Sequence, residues 1–99
     1  MLMTNKTVVI TGGTGGIGLQ TAIGLAKLGA MVVVTGRNEE RGEAALERIA
    51  SASPEAKVEL VLGDLSTVAS VQALGTHILR RFPRIDVLVN NAGRMAPEF

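Results

Sequence analysis

The sequence predicts an α/β fold: the N-terminal half of a doubly wound parallel sheet, strand order 3-2-1-4, with helices on both faces. Three observations predict it. Short aliphatic runs alternate with helical patterns along all 99 residues, as in strands joined by right-handed helical crossovers. A glycine-rich segment, Thr11-Gly12-Gly13-Thr14-Gly15-Gly16-Ile17-Gly18, follows the first apolar run directly. Only 2% of the residues are aromatic while 46% are hydrophobic. Such an aliphatic composition suits parallel strands covered by helices.

Each element has a local reason. Lys6–Thr11 is the first strand. Gly16–Leu28 is a helix, with Ile17, Ala22, Leu25 and Ala26 read as its inward face. Gly29 ends it as a C′ residue. Ala30–Thr35 is a second, β-branched strand. Asn38 is an N-cap for a helix running to about Ala52, with Ala45, Leu46 and Ile49 inward. Ser53-Pro54 breaks that helix. Val58–Leu62 is the third strand. Ser66 is read as the cap of a third helix reaching Phe82, with Val68, Val71, Leu74, Ile78 and Phe82 apolar. Pro83 stops it, and Asp86–Asn90 is the fourth strand. The whole chain, residues 1–99, reads as one part-domain with no linker, repeat or low-complexity stretch.

Composition excludes several function classes. The formal net charge is +1, which gives no sign of a nucleic-acid or membrane surface. There is no cysteine, hence no disulfide, thiol nucleophile or cysteine-held metal. No metal site is expected. Met1-Leu2-Met3-Thr4 is too short and too weakly apolar for a signal peptide. These features suit a cytoplasmic protein.

The glycine segment carries the chemistry. Glycines let a backbone turn sharply and approach a ligand, and a helix N-terminus offers free N–H groups to a pyrophosphate. Gly13-x-Gly15-x-x-Gly18 and Gly12-x-x-x-Gly16-x-Gly18 both fit dinucleotide-binding spacings, in the required strand–turn–helix context. No Gly-Lys-Ser/Thr follows, so a kinase-type phosphate loop is disfavoured.

Strand 2 ends at Thr35-Gly36-Arg37. An NAD site places an acid near here for the ribose 2′-hydroxyl. Gly36 cannot serve, whereas Arg37 offers a planar fork of donors to a 2′-phosphate. NADP is therefore expected over NAD. Arg37 can also be read as a solvated arginine engaged by Glu39 and Glu40. Asp64, with Leu65, reads either as an acceptor for an adenine amino group or as a turn-former. Asn90-Asn91-Ala92-Gly93 closes strand 4 opposite the glycine turn. His77, Lys27, Arg41, Glu43, Glu47 and Arg48 read as surface residues. Arg80, Arg81 and Arg84 complement a helix C-terminus.

The glycine turn, Asp64-Leu65 and Asn90-Asn91-Ala92-Gly93, in this order and spacing, resemble the short-chain dehydrogenase/reductase family, whose fold is of the Rossmann type. Gly36-Arg37-Asn38, the run Asp86–Gly93 and Met95 look most like its retinol-dehydrogenase-like, NADP-preferring members. The resemblance implies cofactor contacts by Gly12, Thr14, Gly16, Ile17 and Gly18 around the pyrophosphate and adjacent ribose. It puts Arg37 at the 2′-phosphate, Asp64 and Leu65 at the adenine, and Asn91, Ala92 and Gly93 along the path toward the nicotinamide. Asn90 would help tie the central strands.

The family's catalytic Tyr-x-x-x-Lys, with its serine and a further asparagine, has no counterpart in these residues, and the chain contains no tyrosine. No catalytic residue is therefore assigned. The expectation is the NADP(H)-binding half of an oxidoreductase acting on an alcohol or carbonyl, inactive as these 99 residues stand. A fragment of an extended-branch nucleotide-sugar epimerase or dehydratase is one alternative. A free-standing, non-catalytic nucleotide-binding module is the other. Strand 4 would present an unpaired apolar edge, so self-association is also expected.

Overall fold

The computed structural model describes residues 3–12, 14–64 and 66–90. Of the positions named above, Met1, Leu2, Gly13, Leu65, Asn91, Ala92, Gly93 and Met95 lie outside the described residues. Seven elements alternate: β1 (Thr7–Thr11), α1 (Gly16–Lys27), β2 (Met31–Gly36), α2 (Glu39–Ala52), β3 (Lys57–Leu62), α3 (Val68–Arg81) and β4 (Val87–Asn90). The sheet order is β3-β2-β1-β4, and all three pairings are parallel.

Val8, Val9 and Ile10 of β1 and Val32, Val33 and Val34 of β2 are fully or almost fully buried. Consecutive strand residues point to opposite faces, so an all-apolar run needs cover on both. Val8, Ile10, Val32 and Val34 pack with Leu19, Ala22 and Ala26 of α1 and Ala45 and Ile49 of α2. Val9, Val33 and Val61 pack with Leu74 and Ile78 of α3. Two helices therefore cover one face and a single helix covers the other.

The helix ends follow side-chain chemistry. After α1, Gly29 has φ +94°. Its N–H donates to the Ala26 carbonyl, and the Ala30 N–H donates to Leu25. This is the Schellman arrangement, and it favours glycine at the left-handed position. Asn38 caps α2 by accepting the Arg41 N–H at 2.9 Å. On α3 the expected cap shifts by one residue. Thr67, not Ser66, accepts the Ser70 N–H at 3.0 Å, and the Ser70 hydroxyl receives the Thr67 N–H at 3.2 Å. Ser66 instead donates twice to Asp64. The reciprocal pair satisfies two orphan donors, which Ser66 alone could not.

One residue expected to face inward, Ile17, faces outward, and so does one of the apolar residues of α3, Val68. Ile17 is 79% exposed: at about 100° per residue it stands half a turn round α1 from Ala26. Val68 is 75% exposed at the first turn of α3, well round the helix from the Leu74–Ile78 stripe. Val71 is also exposed, whereas Phe82 packs against the core.

Candidate nucleotide site

The carboxyl ends of the strands build one edge. Thr11 is paired with Thr35 on one side and Asn90 on the other. The order β2-β1-β4 makes the β1/β4 boundary the switch point, where open α/β sheets bind ligands. The Thr11 hydroxyl donates to the Val89 carbonyl at 3.4 Å, joining the two strands across that boundary.

From Thr11 the chain turns into α1. The Gly12 N–H donates to the Thr35 carbonyl at 3.1 Å, which ties the turn to β2. Gly16, the first residue of α1, has φ +56°, and a Cβ built on it meets nothing within 4 Å. Its left-handed backbone favours glycine, and open space lies over it. Gly15 is the N-cap and makes no side-chain cap, so the first amides of α1 receive no side-chain oxygen from it. Gly18 is buried and Ile17 projects outward. A groove of about 690 Å³ runs from Gly16 and Ile17 along α1 to Arg48. Thr14, Arg37 and Asp64 do not line it, so it is not the expected cradle.

At the end of β2, a Cβ on Gly36 would stand 2.9 Å from the Thr14 methyl group. A side chain at 36 would require the Thr14 side chain to shift. Arg37 follows, exposed, with Nη1 4.0 Å from Asp64 Oδ1. Its ion-pair partner is therefore Asp64 rather than Glu39 or Glu40. Asp64 is itself oriented: Oδ1 accepts the Ser66 N–H at 2.9 Å and Oδ2 accepts the Ser66 hydroxyl at 2.7 Å. The Gly63 N–H donates to the Gly36 carbonyl at 2.9 Å, which fixes the ends of β2 and β3 against each other.

Arg41 is exposed, as the sequence reading has it, but its position adds to that reading. Its Nη2 lies 3.7 Å from the position a Cβ would take on Gly15, so the guanidinium sits beside the glycine turn. A signal was present in the sequence. Asn38 caps the helix and places Arg41 in its first turn, where a cation opposes the helix dipole.

Of the expected contacts, Gly12, Thr14, Gly16, Ile17, Gly18, Arg37 and Asp64 fall in the described residues and lie along this carboxyl edge. A family profile for short chain dehydrogenases matches residues 6–99. The chain belongs to the short-chain dehydrogenase family.

Relatives within that family bear the same stamp. The human dehydrogenase/reductase SDR family member 13 is 44% identical, over 89% of this chain and 23% of its own length. Human retinol dehydrogenase 14 is 41% identical, over 93% of this chain and 31% of its own. A metagenomic short-chain oxidoreductase solved with NADP superposes with a TM-score of 0.84 at 37% identity, covering 95% of this chain and 42% of that one. The chain thus spans about a quarter to a third of the length of these curated relatives.

Proposed function

We propose that this chain is the NADP(H)-binding half of a short-chain dehydrogenase/reductase that acts on an alcohol or carbonyl. One observation carries the cofactor choice. A Cβ at Gly36 would crowd the Thr14 methyl, while exposed Arg37 stands next in sequence. The site thus lacks the acid that would accept from a 2′-hydroxyl and offers a cation suited to a 2′-phosphate.

In this reading Gly12, Thr14, Gly16, Ile17 and Gly18 hold the pyrophosphate and adjoining ribose. Arg37 takes the 2′-phosphate, with Arg41 adding positive charge beside the turn. Asp64 and Leu65 hold the adenine, and Asn91, Ala92 and Gly93 continue toward the nicotinamide. The residues fit such a group: the space over Gly16 is open, the Arg41 guanidinium stands beside Gly15, and exposed Arg37 follows the end of β2. When bound, the cofactor supplies hydride chemistry. The chain's own part is to bind and orient it. With no tyrosine among its 99 residues, the chain by itself lacks the family's acid/base, and we expect no turnover from it alone.

We place the protein in the cytoplasm. No helix among the described residues is long and apolar enough to cross a membrane. The named relatives are dehydrogenases and an oxidoreductase, which favours this reading over the epimerase alternative.

The test is to titrate NADP and NAD against the chain and against Arg37→Ala. Loss of a charge-assisted hydrogen bond should cost about 1.5 to 3 kcal/mol, roughly one to two decades in NADP affinity. NAD affinity should barely move. Equal affinity for the two cofactors, unchanged by the mutation, rules the assignment out.

A further inference from the structure

We infer that Asp64 is an internal competitor for Arg37, so that a cofactor's 2′-phosphate must displace a carboxylate to reach the guanidinium. The inference rests on the proposed role of Arg37 and adds a second residue that sets the specificity of the same site.

The geometry is asymmetric. The two Ser66 hydrogen bonds hold both carboxylate oxygens of Asp64. Arg37 is the free arm: its side chain is 75% exposed, against 46% for Asp64. The register fixes where the arm starts. Gly36 is paired with Leu62, and the Gly63 N–H donates to the Gly36 carbonyl. Arg37 and Asp64 therefore leave neighbouring strand ends side by side, and their charged groups meet at 4.0 Å.

A pair this long and this exposed is weak. A phosphate monoester carries about 1.5 to 2 negative charges and three strong acceptor oxygens, so it takes the guanidinium from a single carboxylate. An adenosine ligand without a 2′-phosphate leaves the pair intact. Asp64 thus lowers affinity for 2′-phosphorylated ligands and has no such effect on the others. Any contact between Asp64 and adenine is common to both ligand types and cancels in their ratio.

The test uses the 99-residue chain with adenosine 2′,5′-bisphosphate and 5′-AMP, which need only the adenosine side of the site. Asp64→Asn preserves the side-chain shape and an acceptor for Ser66 while removing the charge. Affinities are measured by calorimetry at low ionic strength, with amide NMR spectra confirming the fold of each variant. Asp64→Asn should raise the preference for the bisphosphate about threefold, within the range of exposed ion pairs. The gain should shrink in about 1 M salt, where the screening length falls to about 3 Å. In an Arg37→Ala background the same substitution should leave the ratio unchanged.

An unchanged or lowered ratio in Asp64→Asn overturns the inference. A full rise that persists without Arg37 also overturns it, since that is direct repulsion of the phosphate. Failure of the parent reading looks different: Arg37→Ala alone then leaves the ratio as it was. Absence of binding by both probes removes the site and the inference with it.

Discussion

Asp86 and Thr7 grip one another at the foot of the sheet. The Thr7 N–H donates to Asp86 Oδ2 at 2.8 Å, and the Asp86 N–H donates to the Thr7 carbonyl at 2.9 Å. Residues 79 apart in sequence are thereby joined where β1 and β4 begin. The Asp86 carboxyl is held below the usual carboxylate range, first by the Thr7 N–H and then by Arg84 and Lys6, with burial acting the other way. Arg84 Nε lies 3.1 Å from Oδ1.

A carboxyl with a lowered folded value contributes stability above its unfolded value, and that stability is lost as pH falls through the folded value. The contribution should therefore be complete above about pH 4 and disappear below it. Asp86→Asn keeps an acceptor for Thr7 but has no charge to lose. Melting temperatures from about pH 6 down to 2 should fall less steeply in the variant than in the parent. Parallel curves would remove Asp86 from the acid response.

Gly15→Asp separates anion binding from folding. The backbone at Gly15 is extended, φ −165°, which any residue can adopt, and a Cβ there makes only ordinary contact at 3.7 Å with Arg41 Nη2. An aspartate would neutralise Arg41 and put negative charge where phosphate is proposed to sit. It should leave the melting temperature within a few degrees while weakening NADP by about tenfold or more, like charges in such a site being strongly disfavoured. Unaltered NADP affinity would move the phosphate site elsewhere. Gly16→Val is the poorer test, because valine at φ +56° strains the backbone as well as filling ligand space.

Two helical glycines should respond in opposite directions to alanine. A Cβ on Gly24 of α1 meets nothing within 4 Å. Gly24→Ala should stabilise the chain by about 0.5 to 1 kcal/mol through helix propensity. A Cβ on Gly42 of α2 would lie 2.4, 2.7 and 3.1 Å from three side-chain atoms of Leu60. Overpacking of that kind costs about 1 to 3 kcal/mol and outweighs the helix gain. Denaturant midpoints read both outcomes, and stabilisation by Gly42→Ala would show that the α2–β3 contact is loose.

The β4 edge and the α3 face should drive self-association. Leu88 is 65% exposed, and Val68, Val71, Leu79 and Val87 are exposed with it. An open parallel edge beside exposed aliphatic residues is a template for pairing. Sedimentation at rising concentration should show species heavier than the 10.3 kDa chain. Leu88→Lys, which charges the edge, should shift the population toward monomer. A monodisperse parent would show that this surface is tolerated alone and would favour a free-standing module.

Where one residue decides, the fold could be read from the sequence. Gly29 and Asn38 end and begin helices by their own chemistry, and the valine runs of β1 and β2 demand cover on both faces. The misreadings arose where a second partner decides. The α3 cap depends on Thr67 and Ser70 acting together, with serine in place of the usual glutamate. Ile17 is apolar but lies on the wrong side of α1, beside the open space over Gly16. At the site, the places of the glycine turn and Arg37 were legible because each follows directly on an apolar strand run. For Arg41 the sequence showed only its place in the first turn of α2; its reach across space to Gly15 was not visible there. The closeness of Thr14 to Gly36 was hidden as well, since it depends on how the turn folds over β2.

The central claim is that the glycine turn and the ends of β2 and β3 form one NADP site. The most direct measurement is an amide NMR titration of the chain with NADP. Saturable shifts concentrated at Gly12, Thr14 to Gly18, Arg37 and Asp64, and weaker with NAD, are the predicted result. No saturable change, or shifts centred on the groove from Gln20 to Arg48 with Arg37 and Asp64 silent, would contradict it.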